Sequence, residues 1–280
     1  MVQIKAYGKI NLTLEVLGLR LDGYHEIRSI MQNIELHDIL SFNLAENGTL
    51  SLNGNCKSLK YDESNLIYRA AKALQEYSGT LKGVKIYIDK KIPLEAGLAG
   101  GSADAAATLI GLNKLWKLEL TIKELIDIGT LIGSDIPFCL IGKTALVEGR
   151  GEIVRQIISP PKESLLIVKP NFGASTKLIY NKYDEIICQE NLNFTELMID
   201  KITNQGEYKN YLYNDLQSVT TKIYPEVQEI LDIMKKESEF VLMSGSGPTC
   251  FAFGKANSIK FLYNEFKGKY KEVIVTSLMT

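Results

Sequence analysis

Residues 93–107 read Pro93-Leu94-Glu95-Ala96-Gly97-Leu98-Ala99-Gly100-Gly101-Ser102-Ala103-Asp104-Ala105-Ala106-Ala107. They follow an alternating run, Val84 to Asp89, with the period of a strand. They lead into a small-residue helix expected from Ser102 to about Leu115, with Leu109, Leu112 and Leu115 on its apolar side. Strand, glycine-rich loop and helix start together aim several backbone N–H groups at one spot, where the helix dipole adds partial positive charge and favours an anion. Gly97, Gly100 and Gly101 leave backbone uncovered by Cβ atoms, so a polyanion can approach closely. Ser102 adds a hydroxyl able to cap the helix, touch a phosphate or reach a metal ion. The same stretch reads equally as a tight turn whose alanines are contact surface. A glycine-rich loop alone does not decide between the two.

Working outward, Val2, Ile4 and Ala6, then Ile10, Leu12, Leu14 and Val16, alternate in the manner of paired strands, with Lys9 and Asn11 on the opposite face of the second run. Asp22-Gly23 is a turn signal followed by Tyr24-His25-Glu26. Residues 34–44 read as a strand, and Asn47-Gly48 as a hairpin turn before Leu50 and Leu52. Ser64 is placed to cap a helix from Asn65 to Tyr77. Thr121 with Glu124 forms a capping-box pattern, opening a helix that ends near Gly133. Gly133-Ser134-Asp135-Ile136-Pro137 and a strand near Ala145 to Glu148 follow.

Ser159-Pro160-Pro161 is the boundary candidate, dividing the chain into 1–158 and 159–280. The second part begins with a strand at Leu165 to Val168 and a polar, tyrosine-rich helical stretch over about 176–221. Pro225 opens a helix through Met234. Then come a strand at Phe240 to Met243, the small-residue loop Ser244-Gly245-Ser246-Gly247-Pro248, a strand at Thr249 to Phe253, a helix near Ile259 to Phe266 and a strand at Val273 to Ser277. That order reads as a compact α+β sandwich.

With 280 residues, 45% apolar and 23% charged, the chain has the balance of a soluble globular protein of one large or two modest domains. Lys plus Arg total 32 against 33 for Asp plus Glu, so no net field argues for nucleic acid. No apolar run has the length of a membrane span, and no signal-peptide pattern is present. Cys56, Cys139, Cys188 and Cys250 are scattered without the paired spacing of zinc or redox sites, so a reduced cytoplasm is expected.

P-loop, protein-kinase and Rossmann signatures are all absent. Asp135, between a helix end and Ile-Pro, suits a general base for a hydroxyl and equally a turn residue. Lys9, in an apolar strand, needs a partner such as Asp135 or a phosphate unless its face is solvated. His25 beside Tyr24 offers a hydrogen-bonding ring next to a stacking surface, and otherwise a structural histidine. Neither His25 nor His37 has metal-ligand company.

Together, Gly8-Lys9-Ile10-Asn11-Leu12, Asp22-Gly23-Tyr24-His25, residues 93–107, Gly133 to Pro137 and Ser244 to Thr249 occur in the order and at about the spacing of the GHMP kinases, which the chain resembles over almost its whole length. The Asp-Gly-Tyr-His segment and the Ala-Gly-Leu-Ala-Gly-Gly-Ser form resemble the branch that phosphorylates the 2-hydroxyl of a cytidine diphosphate conjugate of methylerythritol in the non-mevalonate route to isoprenoids. The resemblance implies an α+β fold with a ribosomal-S5-like N-terminal domain, a ferredoxin-like C-terminal domain and an active site between them. It implies ATP held along Pro93, Leu94, Glu95, Ala96, Gly97, Leu98, Ala99, Gly100, Gly101, Ser102 and Ala103, with Asn65 near the adenine and Mg2+ near Ser102. Asp135 becomes the catalytic base, with Lys9 as its partner. Asn11, Tyr24, His25 and Tyr180 would hold the cytidine end of the substrate.

Two positions depart from the family pattern. Glu95 stands where a small residue is common, and Ala103 replaces the second serine usual after the glycines. Tyr24-His25 argues against a kinase of homoserine, mevalonate or a sugar, and retention of Lys9 and Asp135 argues against a non-catalytic nucleotide-binding regulator. The expectation is a cytoplasmic enzyme, monomeric or weakly dimeric, with a small-molecule substrate and neither nucleic acid nor membrane as partner.

Overall fold

A computed structural model describes residues 1–186 and 193–280, with the side chain of residue 186 outside the description. Cys188 and part of the expected 176–221 helical stretch lie outside the described residues. In chain order, the first elements are strands β1 (Val2–Leu19), β2 (His25–Ala45) and β3 (Leu50–Gly54), helix α1 (Leu66–Ser78) and strand β4 (Gly83–Asp89). Helices α2 (Gly100–Trp116), α3 (Ile122–Thr130) and α4 (Ile136–Ile141) follow, then strands β5 (Thr144–Gly149), β6 (Ile153–Gln156) and β7 (Ser164–Lys169). Beyond these come α5 (Thr176–Ile186), α6 (Phe194–Thr203), the short β8 (Tyr213–Asn214), α7 (Asp215–Ile223) and α8 (Pro225–Met234). Strands β9 (Val241–Met243) and β10 (Cys250–Phe253), helix α9 (Ala256–Phe266) and strand β11 (Glu272–Ser277) close the chain.

The chain folds into two compact units, each assembled from separate stretches. The first comprises residues 1–8, 36–92 and 99–142; the second comprises 9–35, 93–98 and 143–280. In the first unit, β4 lies between β2 and β3, and helices α1 to α4 supply the other layer. The core includes Leu40, Phe42, Ile86, Ile88, Ala70, Leu74, Leu109, Leu112 and Trp116. α2 is buried almost all round, from Ala103 and Ala105 to Gly111, which is why its sequence shows small residues rather than one apolar stripe. A Cβ at Gly111 would lie 2.4 Å from the Phe42 ring, so only glycine lets this helix reach the sheet.

In the second unit, β1, β2, β5, β6 and β8 form one sheet portion, and a four-stranded sheet runs β11-β7-β10-β9. Numbering those four strands by sequence gives the order 4-1-3-2, with all neighbours antiparallel. Helices α8 and α9 cover it, burying Val227, Ile230, Leu231, Ile259, Leu262 and Phe266 against Leu166, Val168 and Ala252. This is the ferredoxin-like layer expected for the C-terminal part.

Several local expectations are corrected. Val2 to Val16 lies in one continuous strand, the 18-residue β1, rather than in a strand pair, and the 21-residue β2 runs alongside it. Asn47-Gly48 is a turn, with Gly48 at φ +77°, but not a hairpin: β3 pairs in parallel with β4, which inserts between β3 and β2. Asn65 rather than Ser64 caps α1, its Oδ1 accepting from Ile67 N at 2.9 Å. α2 begins at Gly100, two residues early, and its cap is Ala99 in the left-handed region, so Ser102 is not a cap. The capping box at Thr121 and Glu124 and the Pro225 start are as expected, whereas α4 and β6 were not foreseen.

Candidate active site

The glycine-rich loop bends through three left-handed positions, Glu95 at φ +50°, Gly97 at +69° and Ala99 at +52°. After Ala99 the chain enters α2, whose Ala103 N–H donates to Ala99 O at 2.9 Å. The amides of Gly100, Gly101 and Ser102 therefore have no carbonyl of their own helix to bind, and they stand at the positive end of a 17-residue dipole. That is the geometry of an anion cradle. A Cβ at Gly101 would meet only Leu66 Cδ1, at 3.4 Å, which places the cradle beside the start of α1 and its cap Asn65. Asn65 has its carboxamide engaged in capping and in donating to Lys60 O at 2.6 Å.

Gly97 is required for a different reason. A Cβ there would lie 2.5 Å from Ser244 O and 3.0 Å from Gly247 O, so the small-residue loop after β9 is pressed against this one. Ser244 Oγ donates to Gly97 O at 3.1 Å, and Lys9 N–H donates to Leu98 O at 3.1 Å. Glu95 turns its side chain onto Gly173, where any Cβ would meet Glu95 Oε2 at 2.2 Å.

Lys9 is 4% exposed, and its Nζ donates to Asn11 Oδ1 at 2.6 Å; Asn11 Nδ2 donates to Ser29 Oγ at 2.8 Å. Gly245 completes this cluster, since a Cβ on it would lie 3.4 Å from Asn11 Oδ1 and 3.5 Å from Lys9 Nζ. Asn214, not anticipated from the sequence, holds Gly245 in place by donating to its carbonyl at 2.8 Å and to Met243 O at 2.7 Å, while its Oδ1 caps α7. The Asn-Asp pair ahead of Leu216 and Val219 at helical spacing was the available signal.

Asp135 stands at the N-cap position of α4 and makes no capping bond to it with its carboxylate. Pro137 in the first turn fixes the entry of this helix. Elsewhere, His25 is buried, its Nε2 2.7 Å from Asp184 Oδ1, and the Tyr180 ring lies over it at 4.7 Å and 31°. Tyr24 is 52% exposed, with the Arg150 guanidinium 5.1 Å above its ring. Tyr180 thus meets His25, and Tyr24 keeps one face for solvent or ligand.

A further cluster escaped sequence reading. Lys90 Nζ donates to Asp38 Oδ2 at 2.5 Å and Asp104 Oδ2 at 2.7 Å, all three side chains being buried. Burial works against the Lys90 charge, but the two carboxylates outweigh it and raise its pKa. Burial pushes the Asp104 carboxyl up to about 8, against the pull of Lys90 and with the Asp38 charge adding to the rise. Asp104, an acid among the alanines of the first turns of this helix, was the hint.

Among the described residues no group of three or more His, Cys, Asp or Glu side chains could hold a metal ion. Ser102, whose N–H is the last of the three at the cradle, carries a hydroxyl. That donor set fits Mg2+ carried in on nucleotide phosphates, which keeps waters and phosphate oxygens as its other ligands. No described helix is long and apolar enough to cross a membrane.

A cradle of helix-terminal amides, a buried lysine beside a second glycine loop and a ferredoxin-like layer define the class. Sequence models described as GHMP kinases N terminal domain and GHMP kinases C terminal match residues 65–143 and 198–272. A homoserine kinase structure from Cytophaga hutchinsonii shares the fold, with a TM-score of 0.75 at 17% identity over 99% of this chain and 95% of the other. The 4-diphosphocytidyl-2-C-methyl-D-erythritol kinase of Exiguobacterium sibiricum is 43% identical, covering 99% of this chain and 97% of its own. A crystal structure of 4-(cytidine 5'-diphospho)-2C-methyl-D-erythritol kinase superimposes with a TM-score of 0.83 at 28% identity, over 99% of both chains. The chain belongs to the GHMP kinases and, within them, to the 4-diphosphocytidyl-2-C-methyl-D-erythritol kinase family. It is a small-molecule kinase.

Proposed function

We propose that the protein transfers the γ-phosphoryl group of ATP to the 2-hydroxyl of 4-diphosphocytidyl-2-C-methyl-D-erythritol, a step toward isoprenoid precursors, in the cytoplasm. The observation that carries this is the row of helix-terminal amides at Gly100, Gly101 and Ser102 in a chain of this family. Those amides, with the loop from Pro93 to Ala103, hold the ATP phosphates, and Asn65 lies toward the adenine. Mg2+, bound at Ser102 with the phosphates, supplies charge neutralisation and orientation of the transferred group.

A tertiary hydroxyl is a poor nucleophile, so the chain must position it in line and relieve it of its proton. Asp135 accepts that proton, its carboxylate being spared from capping α4. Lys9, oriented by Asn11, stabilises the negative charge that develops. Tyr24 stacks on cytosine, His25 reads the polar edge of the base, and Asn11 and Tyr180 complete that end of the site. Residues 1–158 and 159–280 serve as the N- and C-terminal domains of a monomer or weak homodimer that engages neither nucleic acid nor membrane.

The experiment is paired: affinity for a cytidine diphosphate fragment and for an ATP analogue, on wild type and on Tyr24→Ala. A base stacked on an aromatic ring gains about 1–3 kcal/mol, so the variant loses about tenfold or more for the cytidine fragment and nothing for the analogue. Equal losses for both ligands, or none for cytidine, would sink the assignment.

A further inference from the structure

The chain enters the glycine-rich loop through Lys90, Lys91 and Ile92 and leaves it through the first turns of α2 at Gly100 to Asp104. Both ends meet at one buried group. Asp38, on β2, accepts from Lys91 N–H at 2.5 Å and Ile92 N–H at 2.8 Å through Oδ1, and from the Lys90 ammonium through Oδ2. The same ammonium reaches Asp104 Oδ2, one turn into α2, and lies under Gly100, where a Cβ would stand 3.0 Å from Lys90 Nζ. Asp104 Oδ1 is buried and has no hydrogen-bond partner. A buried cluster of one ammonium and two acids is not a cheap way to stabilise a core, since well-packed apolar residues usually do as well or better. What it does supply is fixed direction: three side chains from three places, each with its geometry dictated by the others.

We infer that Asp38, Lys90 and Asp104 are positioning residues that hold the entry and exit of the glycine-rich loop in register, so that the amides of Gly100, Gly101 and Ser102 stay aimed at one anion. None of the three touches the nucleotide; they act through the backbone. The inference rests on the reading of these amides as the phosphate site. It also makes the two acids unequal. Asp38 accepts from backbone N–H groups on one oxygen and from the ammonium on the other, so an amide in its place must turn an NH2 toward one of those donors. Asp104 uses only Oδ2, and a carboxamide oxygen can take that bond.

The test compares the full-length wild type with Asp38→Asn, Lys90→Met, Asp104→Asn and Asp104→Leu, each checked for folding by circular dichroism. Affinities for an ATP analogue and for cytidine diphosphate are measured by calorimetry, and KM for ATP is separated from kcat. Asp38→Asn and Lys90→Met should weaken the analogue and raise KM for ATP by about tenfold or more, with kcat at saturating ATP and cytidine diphosphate affinity within about threefold of wild type. Asp104→Asn should keep analogue affinity within about threefold, and Asp104→Leu should lose about tenfold. If Asp38→Asn or Lys90→Met folds and binds the analogue as tightly as wild type, the inference is overturned. Should neither fold, equal analogue affinity in the two Asp104 variants overturns it instead. Backbone amide shifts of Gly100 to Ser102 in the wild type on adding the analogue separate the two failures. Their absence sinks the phosphate reading, while their presence beside an unaffected Asp38→Asn sinks only the positioning role.

Discussion

Asp135 illustrates how a carboxylate becomes available for chemistry at the scale of a single residue. It sits where a helix normally recruits an acid for capping, yet its side chain makes no such bond, and Pro137 closes the first turn without it. On the proposed role, Asp135→Asn keeps the shape and removes the base; turnover should fall by about 10²–10⁴-fold with ATP-analogue affinity unchanged, read by steady-state kinetics and calorimetry. Near-normal turnover would take Asp135 out of the mechanism. That Lys9 needs a partner was legible from a cation alternating with apolar neighbours, but the sequence pointed to Asp135 or a phosphate, whereas the structure gives it Asn11 Oδ1 at 2.6 Å. The triad of Lys90, Asp38 and Asp104 was not legible. Its members lie 52 and 14 residues apart, and each alone reads as an ordinary surface charge.

At the level of elements, the glycine positions do separate jobs. Gly97 serves loop-against-loop packing, Gly100 lies over Lys90 and Gly111 admits the Phe42 ring, leaving Gly101 as the open face. Gly111→Val should destabilise the protein by about 1–3 kcal/mol or more through overpacking, measured by urea unfolding, without a direct effect on ligand contacts. Unchanged stability would mean α2 does not seat on the sheet as described. Gly97→Ala should cost both left-handed strain and the clash with Ser244 O, lowering Tm and, by displacing the loop, ATP affinity. A variant as stable as wild type would dissociate the two loops. Local chemistry announced the capping box of α3 and the proline start of α8, because both signals are read within one turn. It failed at β3, where a glycine turn suggested a hairpin: the choice of β4 as parallel partner depends on a strand some thirty residues further on, beyond any local signal. It failed at Ala99 too, since a left-handed cap is expected of glycine or asparagine rather than alanine.

For the whole molecule, the fold alone does not name a substrate, because homoserine and mevalonate kinases share it at low identity. Around Tyr24 and His25, where the proposed recognition of cytosine rests, Arg150 lies over one ring and Tyr180 over the other. Buried between Asp184 and Tyr180, His25 is held in one orientation, while Tyr24 presents its ring. A handle as large as cytidine diphosphate gives binding energy far from the reacting hydroxyl, and that energy is realised only in a correctly held substrate. The most direct measurement is turnover of ATP with equal concentrations of 4-diphosphocytidyl-2-C-methyl-D-erythritol, homoserine, mevalonate and galactose, each phosphorylated product being followed separately. A kinase of this family should phosphorylate the cytidyl substrate with kcat/KM at least about 10³-fold above the other three. Comparable turnover of any of the others, or none of the cytidyl substrate, would contradict it.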